Sequence, residues 1–318
     1  QDFKDANISL RLNYSYDKRY LAELTLAGMG SNKFDTNDRF FFSPAVGASW
    51  IISNESFMKE AKAVNFLKLK ASFGVLGYTG NTGFFLYQTG WNNNGNYNFF
   101  QDQTDHKVSL ARWGNPDLTW EKTTQYNIGI DYSVLNGRIS GVVDFYTSRT
   151  TDLLMEMTIP SLNGYTKTYA NVGKTSNIGV DITLNTVNIK SHDFEWTTSI
   201  NAAWQKDQID ELANGKEDDI NNTWFIGEAL GVIYDYESDG LWHEEDAAEM
   251  AKFNANGHSF SPGMVKPVDQ NGDYKIDPND DRVIIGHTRP RWTFGMTNTF
   301  TYKNFDLSVM MYGRFDYM

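Results

Sequence analysis

A chain of 318 residues that is 40% hydrophobic can bury a sizeable core, yet its mean hydropathy is -0.50 and no run of about 18 apolar residues could form a membrane helix. A membrane β-barrel is not excluded, because only every second residue of its strands need be apolar and an aromatic content of 15% suits interfacial girdles. The absence of cysteine rules out disulfides and thiolate metal sites, and a net charge of -12 with no basic stripe rules out a nucleic-acid surface.

In chain order, Ile8 to Tyr16 alternates strictly, turns at Asp17-Lys18-Arg19, and returns as Tyr20 to Gly28. A Gly/Asn/Asp-rich loop, Met29 to Arg39, leads to a strand at Phe42 to Ile52. A connector with room for one helical turn follows, then a strand at Phe66 to Leu76. Residues 77 to 121 read as a long Asn/Gly/aromatic-rich loop.

The central hairpin comes next. Tyr126, Ile128, Ile130 and Tyr132 alternate with Asn127, Gly129 and Asp131, and after Asn136-Gly137 the pattern resumes with Ile139, Gly141, Val143 and Phe145. A register placing Tyr132 opposite Ile139 and Asn127 opposite Asp144 gives one apolar and one polar face. Such long two-faced arms suit strands that cross a bilayer at a tilt, apolar side to lipid. Residues 147 to 175 read as a loop, Ser176 to Val187 and Phe194 to Gln205 as a hairpin, and Lys206 to Pro290 as a very long excursion. Arg291 to Thr301 and Phe305 to Gly313 form the last hairpin.

The expected fold is therefore all-β: ten antiparallel strands in five hairpins, an up-and-down transmembrane barrel segment with short turns at one end and long loops at the other. A soluble or surface-attached β-sandwich that binds glycans, as an adhesin would, is the alternative. It would bury the apolar faces in pairs rather than turn them outward.

Residues 206 to 281 hold 19 acidic and 5 basic residues, so nearly all the net charge lies in the excursion. Within it, Asp269, Asn271, Asp273, Asp277 and Asp280 fall at positions 1, 3, 5, 9 and 12 of a calcium loop, with the carbonyl of Lys275 at position 7. Tyr274 stands where that loop wants Gly, and Asp280 where it wants Glu. An Asx-rich turn that bonds its own backbone is the competing reading. Trp91, Trp113, Trp224 and Trp242, with Tyr97, Phe99, Phe100, Phe225, Tyr234 and Tyr236, are loop aromatics that can stack on sugars, anchor a partner, or pack the loops together. Catalysis is not expected: the five histidines are scattered, and His243-Glu244-Glu245 lacks the second histidine of a zinc-protease helix.

Four stretches carry a resemblance. Asn115 to Gln125 (NPDLTWEKTTQ), Gly227 to Trp242 (GEALGVIYDYESDGLW), Pro262 to Asp277 (PGMVKPVDQNGDYKID) and Ile284 to Val309 resemble the SusC/RagA family of TonB-dependent outer-membrane transporters. The resemblance implies a plugged barrel of about 22 strands in the outer membrane of a Gram-negative bacterium. It also implies a SusD-like surface lipoprotein as lid, energy through TonB, and oligosaccharides or peptides as cargo. On that reading residues 1–318 are an internal piece of the barrel, without the plug, the TonB-contacting segment or the closing strands.

Overall fold

Residues 3–80, 83–100, 103–160, 162 and 164–318 are described by a computed structural model; of residues 92–100 and 103–111 it describes the backbone alone. The first four strands, β1 (Asp5–Tyr16), β2 (Tyr20–Ser31), β3 (Phe40–Ile51) and β4 (Val64–Tyr78), form antiparallel neighbours. A separate two-stranded hairpin follows, β5 (Gly90–Phe100) with β6 (Gln103–Arg112), inside the stretch expected to be loop. The sheet resumes with β7 (Glu121–Val134), β8 (Ile139–Thr158), β9 (Lys167–Lys190) and β10 (Phe194–Glu211).

The excursion folds as a lobe. It contains β11 (Val232–Tyr236), β12 (Ser238–Leu241), the helix α1 (Ala247–Ala255), β13 (Val265–Pro267) and β14 (Arg282–His287), with β11 paired to β14 and β12 to β13. The last hairpin, β15 (Trp292–Tyr302) and β16 (Phe305–Phe315), returns to the main sheet. That sheet has ten strands in the order β1-β2-β3-β4-β7-β8-β9-β10-β15-β16. It is a single layer, and among the described residues no second sheet covers its apolar face, so the sandwich reading fails.

Two expectations need correction. The central turn takes four residues: Leu135, Asn136 and Gly137 all adopt positive φ, which reverses the chain quickly enough to add the pairs Val134↔Ile139 and Ser133↔Ser140. Tyr132 therefore faces Gly141, Ile128 faces Phe145 and Asn127 faces Tyr146. The slip is two residues, so every side chain keeps its expected face. The second correction concerns 147 to 175, where strands replace much of the loop: β8 runs on to Thr158 and β9 starts at Lys167.

Register sorts the sheet by polarity. One face carries the row Ala48, Ala71, Ile128, Phe145, Val180, Trp204 and Trp292; the other carries Lys70, Gly129, Asp144 and Asp181. On the apolar face, Tyr20, Trp50, Tyr132, Trp196 and Tyr302 ring the short-turn rim, while Phe42, Trp204 and Trp292 stand toward the other. Ten residues separate Tyr302 from Trp292, about 33 Å of strand or roughly 25 Å of height once tilted, which is the apolar band of a membrane barrel.

Each rim is fastened differently. At the short-turn rim, buried Glu55 accepts from Tyr20 Oη (2.7 Å), Trp50 Nε1 (3.0 Å) and Arg19 Nη1 (2.9 Å). These donors, the tyrosine first, hold its carboxyl below the usual glutamate range. At the long-loop rim, Phe34, Leu86, Leu118 and Trp120 form a buried cluster, and Trp120 Nε1 donates to the Asp38 carbonyl (3.0 Å). The Asn115–Glu121 segment thus works as a clasp: Asn171 pins Thr119 from both sides, and Glu121 accepts from the Leu154 amide.

Candidate functional site

Two places have the chemistry to meet a ligand: the polar face of the sheet and the loops above it. On the polar face, Lys70 Nζ sits 2.9 Å from Asp131 Oδ1 and 3.0 Å from Asp144 Oδ2, and Lys68 Nζ lies 3.0 Å from Asp131 Oδ2. Gly129 makes this possible, since a Cβ there would fall 2.1 Å from Asp144 Oδ1 and 2.6 Å from Lys70 Cε. Asp181 stands beside Asp144 in register, so the wall carries two lysines against three aspartates and Lys70 is shared between two of them. A hollow of about 680 Å³ opens on this side, lined by groups such as Asn13, Glu23, Lys68, Lys70, Gln125 and Asn127. The arrangement can hydrogen-bond a polar solute or polypeptide; it contains no nucleophile–base pair. The alternating Lys68 and Lys70 were the signal for this wall that reading the sequence missed.

In the loops the four candidate tryptophans fare differently. Trp91 lies in β5, not a loop, and is 63% exposed. Trp113 is also exposed and meets Tyr165 edge-on at 5.2 Å. Trp224 is half-buried, its backbone bridged to Asp219, next to the Phe225–Tyr234 ring pair at 4.8 Å. Trp242 corrects the expectation: it is 1% exposed and packs with Met250 and Phe253 of α1 and with Phe260, while Lys266 Nζ covers its ring at 4.7 Å. Its burial leaves no face for a sugar. Among the described residues no ring contact joins the Trp91–Trp113 group to the Trp224–Trp242 group. The side chains of Tyr97, Phe99 and Phe100 lie outside the described residues.

The helix that encloses Trp242 was legible but passed over. An Ala-rich segment follows acidic Glu244–Asp246, the Asp246 carboxylate accepts from the His243 amide (2.9 Å), and Gly257 ends it at positive φ. Met250 and Phe253, three apart, supply its buried face.

The Asp269 loop spends its oxygens on its own backbone. Asp269 accepts from the Gly272 and Tyr274 amides (both 2.7 Å), Asn271 from Asp273 N, Asp273 from Lys275 N, and Asp277 from Asn279 N. The Lys275 ammonium, 2.9 Å from Asp277 Oδ2, holds that carboxyl below the usual range. Fully buried Asp281 fastens the loop at both ends by accepting from Gln270 N and Asp277 N. Among the described residues no three acidic or histidine side chains gather to hold a metal.

A single two-faced sheet, aromatic girdles and folded loops at one rim define a wall segment of a membrane β-barrel. The family model described as "TonB dependent receptor-like, beta-barrel" matches residues 2–317, and the chain belongs to that family. It is 33% identical to TonB-dependent receptor P26 of Formosa agariphila over 98% of this chain and 32% of that protein. Against TonB-dependent receptor SusC of Bacteroides thetaiotaomicron it is 30% identical over 95% of this chain and 30% of that protein. Among solved structures, that of the RagAB peptide transporter superposes with a TM-score of 0.75 at 25% identity, covering 98% of this chain and 33% of that one. The chain thus spans about a third of the relatives it matches.

Proposed function

We propose that this chain is part of the wall of an outer-membrane importer of a Gram-negative bacterium, powered through TonB and working with a SusD-like surface lipoprotein. The observation that carries the reading is the pairing of a lipid-suited apolar face with a charged inner wall, in a chain of this receptor family. Cargo is an oligosaccharide or a peptide. The likeness to a receptor named SusC and to a structure titled as a peptide transporter supports both, and exposed Trp91 and Trp113 can stack on either.

The test is a detergent-extracted pull-down of the full-length protein from outer membranes with mass spectrometry of what co-purifies. Recovery of a SusD-like lipoprotein is expected, followed by binding of one class in a glycan and peptide panel. A parent found in the soluble fraction without a lipoprotein would overturn the reading. Calcium in the Asp269–Asp280 loop is a separate proposal supported by ligand spacing and by the positive φ of Tyr274 at the sixth position, where calcium loops place Gly.

A further inference from the structure

The apolar face of the sheet is not evenly filled. Two ladder rows run from its middle to the long-loop girdle at Trp204, Ala48-Ala71-Ile128-Phe145-Val180-Trp204 and Val46-Phe73-Tyr126-Thr147-Ile178, and between them lies an open hollow of about 760 Å³. Phe73 and Tyr126, 5.1 Å apart, wall it on one side, and Phe145 and Trp204 lie farther along the same trough. The trough crosses strands β3 to β10, so at about 4.8 Å per strand it is roughly 24 Å long. Small side chains on β3 and β4 and large rings around them leave a slot as long as an acyl chain rather than a pit for a single ring.

Charge marks one end. Register puts Lys206 beside Ile178 on this same face, at the long-loop side of the band. Lys206 is exposed and makes no ion pair among the described residues. Arg149, two residues beyond Thr147, is also exposed and reaches Asp210 only at 3.7 Å. The remaining neighbours are already paired, Lys122 with Asp152 and Lys174 with Glu211.

We propose that this trough is a binding site for one anionic membrane lipid, its acyl chain in the slot and its phosphate at Lys206 and Arg149. The occupant follows from continuity: the trough lies inside the band bounded by the aromatic girdles, where lipid chains are the surrounding medium, and its charged end lies where headgroups begin. The inference rests on reading this face as lipid-facing, but not on what the importer carries.

The experiment places the full-length protein in nanodiscs of phosphatidylcholine with a minor share of phosphatidylglycerol and counts retained lipid by native mass spectrometry. Wild type is expected to keep phosphatidylglycerol in preference to phosphatidylcholine. Ala71→Phe, or Ala48→Leu if the first fails to assemble, fills the slot and lowers retention roughly tenfold, the change expected if about two buried methylenes lose their seat. Lys206→Ala should weaken the preference for phosphatidylglycerol about fivefold while leaving total retention unchanged, as the loss of one basic residue near an anionic surface implies. Equal retention in all variants, no headgroup preference in wild type, or a second copy of the chain cross-linked through Phe73 and Phe145 would overturn the proposal. A parent that assembles in membranes without any lipoprotein would sink the importer reading and leave this one intact.

Discussion

The sheet and the lobe above it use the same apolar residues in opposite senses. In the lobe Trp242, Met250 and Phe253 turn inward and are buried, as in any water-soluble fold. In the sheet the large apolar side chains of the middle band are exposed even on central strands, Ile128 at 59% and Phe145 at 54%, and the buried hydrophobic residues lie at the rim, in the loops and in the lobe instead. Backbone pairing, the ion pairs of the polar wall and the fastenings at the rims hold the sheet strands together, so the sheet has no apolar core to lose. The difference teaches that burial in this protein reports the local solvent: water organises the lobe, and lipid is expected to organise the band.

The comparison breaks most visibly in the lobe. Trp242→Ala should cost about 3–5 kcal/mol there, as large-to-small core changes do. Hydrogen exchange should show α1 and β11 to β14 opening while β1 to β10 stay protected. If the sheet opened with it, the two would be one cooperative unit.

On the apolar face the rule inverts, because adding charge rather than removing bulk does the damage. Ile128→Arg should impair assembly by roughly 2–4 kcal/mol if the site lies near the midplane, read by heat-modifiable gel mobility. Asn127→Arg, next in sequence but on the polar wall, should assemble normally.

A smaller effect sharpens the contrast at the short-turn rim. The Glu55 carboxyl lies below the ordinary glutamate range, so its contribution is complete at pH values above that range and is lost as pH falls through the depressed folded value. Acid titration of wild type against Glu55→Gln should give curves that converge only in strong acid. Parallel curves would remove Glu55 from the account.

The smallest change is expected in the Asp269 loop. Its carboxylates already accept from backbone amides that a cation must displace, so terbium luminescence sensitised through Tyr274 should show weak binding that calcium reverses, and no sensitised signal would leave the loop an Asx-rich turn and overturn the calcium proposal.

The ten sheet strands were legible because period-two alternation survives wherever one face meets lipid and the other a polar lumen, and a two-residue slip in the central hairpin left each face intact. The extensions of β8 and β9 were not, because beyond the band both faces meet water or loops and Thr, Asn and Lys replace the alternation. Trp242 shows the harder limit: a tryptophan in an acidic, Gly-flanked stretch reads as an exposed ring until the helix that covers it is recognised. Lys68 and Lys70 were hidden for a similar reason, since lysine in a strand reads as solvent-facing until Asp131 and Asp144 are found opposite.

The most direct test of the two-faced wall uses the absence of cysteine from this stretch of chain. Single cysteines at positions 127, 128, 143 and 144 of the full-length protein in intact outer membranes would be probed with a water-soluble maleimide and with a lipid-phase quencher read from a label at the same site. Ile128→Cys and Val143→Cys should be quenched from the lipid and spared by the aqueous reagent, while Asn127→Cys and Asp144→Cys show the reverse. The same response at all four positions would contradict the account.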